Sequence, residues 1–161
     1  DNRALSLLLA GKAQLIGQES RPLFVRIGRL LSKILDLKLR PITDVADFVL
    51  WDERKYNSYA DHAANVALDA GSDRQRLNND VLREVQNTSA NLRISADGAK
   101  RGNGEASVGI AFFAYFPDGS KKVFYRAGKV LGKLSSAFLA EAIAMEWCLE
   151  QLIDIVYKGS S

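Results

Sequence analysis

Apolar positions recur along this chain at two different periods, and the change between them divides it. Helical spacing governs the first part. Asn2–Ala10 is dense in leucine, follows Asp1 in the place of an N-cap, and stops at Gly11. After Pro22, the residues Leu23, Phe24, Ile27, Leu30, Leu31, Ile34 and Leu35 recur three and four apart, which predicts a helix. Arg26, Arg29 and Lys33 share its opposite face, and Pro41 ends the region. Val45–Trp51 reads as a strand, and Asn57 as the cap of an alanine-rich helix through Ala70. Residues 71–91 are polar, with Leu77, Val81, Leu82 and Val85 at helical spacing, and predict a surface helix bridging two halves.

From residue 92 the pattern shifts to strands. Leu92–Asp97 alternates, Gly98–Gly104 is a glycine-rich loop, and Ser107–Phe116 and Lys121–Leu131 are strands joined by the turn signal Pro117-Asp118-Gly119. Ser135 and Ser136 introduce a helix through Leu152, and Ile153–Lys158 reads as a last strand. Hairpins mixed with helix crossovers predict an α/β domain.

Composition narrows the function classes. At 161 residues, 47% hydrophobic and 25% charged, the chain fits one globular domain. Its net charge of +3 is uneven: residues 21–40 hold six basic side chains and one acidic, leaving about −2 for the rest (+3 minus +5). A basic segment beside an acidic body suits a polyanion held near carboxylates. One cysteine, Cys148, excludes an internal disulfide and fits a reducing, intracellular setting in cytoplasm or nucleus. One histidine, His62, argues against a histidine-based zinc site or a catalytic triad. No apolar run has the length of a membrane span, and no signal peptide is expected.

Four acids are the candidates for chemistry, each with an ordinary alternative. Asp97 precedes Gly98, and Asp-Gly alone is a turn, but the following Lys100-Arg101-Gly102-Asn103-Gly104 would let backbone N–H groups approach a polyanion. Glu141 has Ala137, Ala144 and Cys148 as helical neighbours, so its carboxylate either sits at the edge of the buried face with its head in water or points into a face that packs and requires a proton, a partner or a metal ion. Asp61 in the first turns of its helix, and Asp1 before another, are each explained alone by the helix dipole or by capping.

Taken together, they resemble another arrangement. Joined head to tail, Ile155-Val156-Tyr157-Lys158-Gly159-Ser160-Ser161 runs into Asp1-Asn2 as a strand followed by an acid. With Leu92–Ala99 and its Lys100–Gly104 loop, Ser135–Ala142 with its Ala-Glu pair, and Trp51–Asn65 with Asn57 and Ala60-Asp61, this order resembles the ribonuclease H family, in its retroelement and plant-type reverse-transcriptase-like branch. The likeness covers nearly everything except residues 71–91 and is circularly permuted. Residues 1–70 correspond to the usual C-terminal half and 92–161 to the usual N-terminal half, with 71–91 as the connector helix of a single domain 1–161.

The resemblance implies a ribonuclease H-like fold, a mixed five-stranded sheet flanked by helices. It also implies metal-dependent cleavage of the RNA strand of RNA·DNA hybrids with two Mg²⁺ or Mn²⁺ ions. Asp97 would bridge both ions, Glu141 and Asp1 would complete one site, and Asp61 the other. The backbone of Lys100, Arg101, Gly102, Asn103 and Gly104, with Ser136 and Ala137, would read the ribose strand. Arg26, Arg29 and Lys33 would hold DNA-strand phosphates. Ala137 and Phe138 stand where the family often has polar residues, and Asp52–Tyr56 lacks its mobile histidine. The cut at Asp1 leaves three accounts open: a monomer with a true permutation, a piece of a tandem, or a half-swapped dimer. A non-catalytic module of the same fold and a DNA-cleaving relative are the competing readings.

Overall fold

The computed structural model describes residues 21–37, 58–88, 90–134 and 136–157. Their elements, in order, are α1 (Arg21–Leu37), α2 (Ser58–Ala70), β1 (Arg74–Leu77), α3 (Asn79–Asn87), β2 (Asn91–Lys100), β3 (Glu105–Tyr115), β4 (Lys121–Lys133) and α4 (Ala137–Leu152). The expected helix 2–10, the strand 45–51, Asn57 and Asp1 all lie outside the described residues.

The strands form one antiparallel sheet in the order β1-β4-β3-β2. The expected mixed five-stranded sheet is therefore corrected to four antiparallel strands among the described residues. Ile153–Lys158, expected as a strand, instead continues α4 as a π-helical turn over Ile153–Tyr157. Its alternation of apolar and acidic residues looks strand-like. However, no Gly or Pro separates it from α4, and Leu149, Leu152, Ile153 and Val156 make one buried helical stripe. The connector is corrected too. Arg74–Leu77 pairs with β4, and Asn78 then caps α3, its side chain accepting from the backbone N–H groups of Asp80 and Val81. Leu77 and Leu82 stand at the spacing of a hydrophobic staple across that cap, which is why they imitate a longer helix.

Successive residues on a strand face opposite ways, so the sheet has two faces to cover. On one, α1 and α4 enclose the larger core. Leu23, Ile27 and Leu31 of α1 share one buried cluster with Phe112, Phe124, Tyr125, Cys148 and Leu149. The rings of Phe112 and Tyr125 lie 5.2 Å apart and those of Phe112 and Phe124 5.9 Å apart. On the other face, among the described residues, lies α2, buried through Ala60, Ala64, Ala67 and Leu68. Covered on both sides, β3 is buried without alternation from Ala106 to Ala114.

Small residues set how close α2 comes. A Cβ on Gly109 would stand 1.9 Å from the Ala60 carbonyl oxygen, and one on Gly128 would stand 2.2 Å from that of Ala63. Ser107, fully buried between them and the loop end of β3, donates from its hydroxyl to the Ala64 carbonyl at 2.7 Å. Gly109→Ala is expected to force α2 off the sheet and to destabilise the fold by about 3 kcal/mol, the upper range for overpacking. Gly102→Ala, which meets nothing within 4 Å, should change stability by less than about 0.5 kcal/mol. Paired urea titrations of the two variants provide the check.

Candidate functional site

Three of the four acids named from the sequence come together. Asp97 lies on β2 opposite Gly109, so its side chain stands on the α2 face, where Asp61 sits in the first turn of that helix. The next residue, Gly98, faces the other way and receives α4: a Cβ there would stand 2.5 Å from the Ala140 carbonyl carbon and 2.6 Å from the Glu141 nitrogen. Thus Gly98 brings Glu141 to the strand edge, and Gly109 does the same for Asp61. Asp97, only 6% exposed, lies between the two acids, close enough for each to hydrogen-bond with it when a proton is shared.

The electrostatic result is a carboxyl group that resists ionisation. Burial comes first, followed by the hydrogen bond and charge of Glu141 and then those of Asp61; together they push Asp97 from 3.8 up to about 8. Asp61 is itself held from α2: the Asn65 amide donates to its backbone carbonyl at 3.0 Å and to its carboxylate at 3.4 Å. Asn65 was part of the segment that carries the resemblance, yet its role was not foreseen. Its position one turn after Asp61 was the available signal.

The other expected site residues are distributed less simply. Ser136 caps α4, accepting from the Leu139 N–H at 3.1 Å, and Ala137 is exposed beside it. The segment read as a loop from Gly98 is strand through Lys100, and only 101–104 turn. That turn uses several of its polar groups internally. Arg101 N–H donates to the Glu105 carbonyl, Gly104 N–H to the Arg101 carbonyl, and Glu105 N–H to the Asn103 side chain. Gly104 takes a φ of +88° to close it. Arg101 itself pairs with Asp69 at the end of α2. A strand rises ~3.3 Å per residue, so Lys100 stands ~10 Å along β2 from Asp97, and the turn lies beyond it. Within the expected backbone cradle, the N–H groups of Arg101 and Gly104 are thus already bonded inside the turn. The basic face of α1 is exposed at Arg29 and Lys33. Arg26, however, donates to Glu146 of α4 at 2.7 Å and so fastens α1; the Glu146 side chain is only 17% exposed.

No protein-family model, curated protein or solved structure matches the chain.

Three carboxyl groups meet without a thiol or imidazole among them: His62 is exposed one residue beyond Asp61, and Cys148 is fully buried with its thiol 3.9 Å from the Ser95 carbonyl. Burial pushes that thiol far above its usual range, so it stays protonated. Hard oxygen donors suit Mg²⁺ or Mn²⁺ rather than zinc. As they stand, no three acidic, His or Cys side chains among the described residues are arranged to hold a single metal ion. The contacts are pairwise, Asp97 with Glu141 and Asp97 with Asp61. Asp97 is thus the acid that meets both of the others. No strand among the described residues covers the outer edge of β2.

The raised Asp97 value carries a stability consequence with a definite sign. Between 3.8 and about 8 the folded state holds a proton that the unfolded state has released. Stability contributed by that proton is therefore present at low pH and lost as pH rises through this window. Glu150, raised mainly by burial and then by Glu146, acts in the same direction. Subtracting the urea stability profile of Asp97→Asn from that of the parent should leave a falling curve that flattens above about pH 8. Parallel profiles would show that Asp97 holds no such proton.

Proposed function

We propose that this protein is a metal-dependent endonuclease of ribonuclease H-like fold and circularly permuted order, acting on the RNA strand of RNA·DNA hybrids. The observation that carries the reading is the burial of Asp97 between Glu141 and Asp61. Three acids from one strand and two helices on opposite faces of the sheet meet at one edge, although ionised carboxylates repel one another. Such an arrangement raises the free energy of the cation-free protein and favours binding of a hard divalent ion. Bound there, two such ions would supply an activated water and neutralise charge on the leaving oxygen of a phosphodiester.

The chain's own groups have separable tasks. Asp97 is the shared ligand, and Glu141 and Asp61 each serve one side. Asn65 holds the Asp61 carboxylate in place, and Gly98 and Gly109 fix the distance from strand to helix on either face. In this reading Asp1 supplies the fourth acid, either from this chain or from a partner in a half-swapped dimer. Ser136 and Ala137 at the α4 entrance, together with Lys100, Arg29 and Lys33, remain the contacts for substrate. Arg26 and Arg101 contribute less, because each already has a carboxylate.

A second reading, a non-catalytic module of the same fold, is favoured by one observation. The α4 entrance offers Ala137 and a half-buried Phe138 where a reader of ribose would use polar side chains. The two are separated by incubating the protein with an end-labelled RNA·DNA hybrid and Mg²⁺. Cleavage of the RNA strand alone is expected, falling by about 10²–10³-fold in Asp97→Asn, on the scale of losing one charge-stabilising group. A folded, metal-supplied protein that cuts nothing would sink the nuclease reading. Cutting of a DNA duplex at the same rate would reassign it to a DNA-cleaving enzyme.

A further inference from the structure

A second charged site lies across α2 from the acids. Residues of β1 and β4 that face α2 include Arg74, Arg76 and Arg126, since Gly128 shares their face and packs under Ala63 and Ala67. Arg76 and Arg126 are direct cross-strand partners, and Arg74 lies opposite Gly128. Arg74 and Arg76 are exposed, and Arg126 is half-buried. With Tyr59 and His62 of α2, these arginines line a cleft of about 360 Å³. Like charges placed directly opposite on a strand pair destabilise it. Among the described residues no carboxylate pairs with any of the three, whereas the arginines Arg26, Arg83 and Arg101 each have one.

We propose that this cleft binds single-stranded nucleic acid through its phosphates, with Tyr59 as the platform for a base. The guanidinium fork matches phosphate oxygens, and arginine is the side chain suited to that geometry. Arg74 and Arg76, two residues apart on one face, are ~7 Å apart along the strand, a step comparable with that between successive phosphates of an extended strand. Tyr59 is 43% exposed and is braced edge-on against Phe113, with ring centroids 5.3 Å apart, so its outer face is held ready for stacking. A concave site with an aromatic wall favours a threaded strand over a lipid surface, which asks for a flat or protruding contact. The proposal does not rest on the acidic site, because His62 and Tyr59 lie on a different flank of α2 from Asp61.

The test is fluorescence anisotropy with a labelled oligodeoxythymidylate, in EDTA so that no metal-dependent event contributes. The parent chain should bind, and Arg76→Gln/Arg126→Gln should bind about tenfold more weakly or worse. The slope of log affinity against log salt should also fall by about 1.4, at 0.7 for each lost phosphate contact. Tyr59→Ala should weaken binding at least about fivefold while leaving the salt slope unchanged. The double variant should melt no lower than the parent, since it removes a like-charge pair. If it misfolds, exposed Arg74→Gln replaces it, with an expected slope change of about 0.7. The proposal is overturned by no binding to the parent, by unchanged affinity and slope in the arginine variants, by tighter binding of the matching duplex, or by loss that appears in Arg29→Gln/Lys33→Gln instead.

Discussion

Backbone-to-backbone approach is the constraint on which the other features depend. At Gly98 and Gly109 the sheet gives up side chains so that a helix can rest directly on each face. The two glycines belong to neighbouring strands and face opposite ways, so α4 and α2 are drawn to the same edge from both sides. Alanines on the helices complete the contact, and Ser107 adds a buried hydrogen bond where α2 would otherwise leave a hydroxyl unsatisfied. Close approach of this kind tolerates no added methyl group, so the spacing between Asp97, Glu141 and Asp61 is set by packing rather than by the acids themselves.

Those acids work against the fold that assembles them. Asp97 is buried, and both of its acidic neighbours disfavour its charge. The hydrophobic core on the opposite face, around Phe112, Phe124 and Tyr125, supplies stabilisation that the acidic edge withdraws. Strain of this kind is common where a site is arranged for something that binds there.

Legibility varied with how local the signal was. The amphipathic pattern from Leu23 to Leu31 gave α1 correctly because burial follows period in a helix that packs on one face. Asp97, Glu141 and Asp61 were recognised through a resemblance, and only their placement on two helices and one strand makes them neighbours. Two elements misled for opposite reasons. Arg74–Leu77 has too few apolar residues to announce a strand and is held by pairing with β4, a long-range contact. Ile153–Tyr157 has a strand's alternation but inherits helical geometry from α4. The glycine-rich turn begins later than its composition suggests, because Gly98–Lys100 pair as strand, and within it the N–H groups of Arg101 and Gly104 turn inward.

Among the described residues, the sheet's two margins are unequal. β1 is four residues long and carries Arg74 and Arg76, a short charged border of the kind that discourages a neighbouring strand. The opposite margin, β2, runs for ten residues. Growth of this sheet therefore has a direction. A strand added in register would enter along β2, and its backbone would pass beside Asp97.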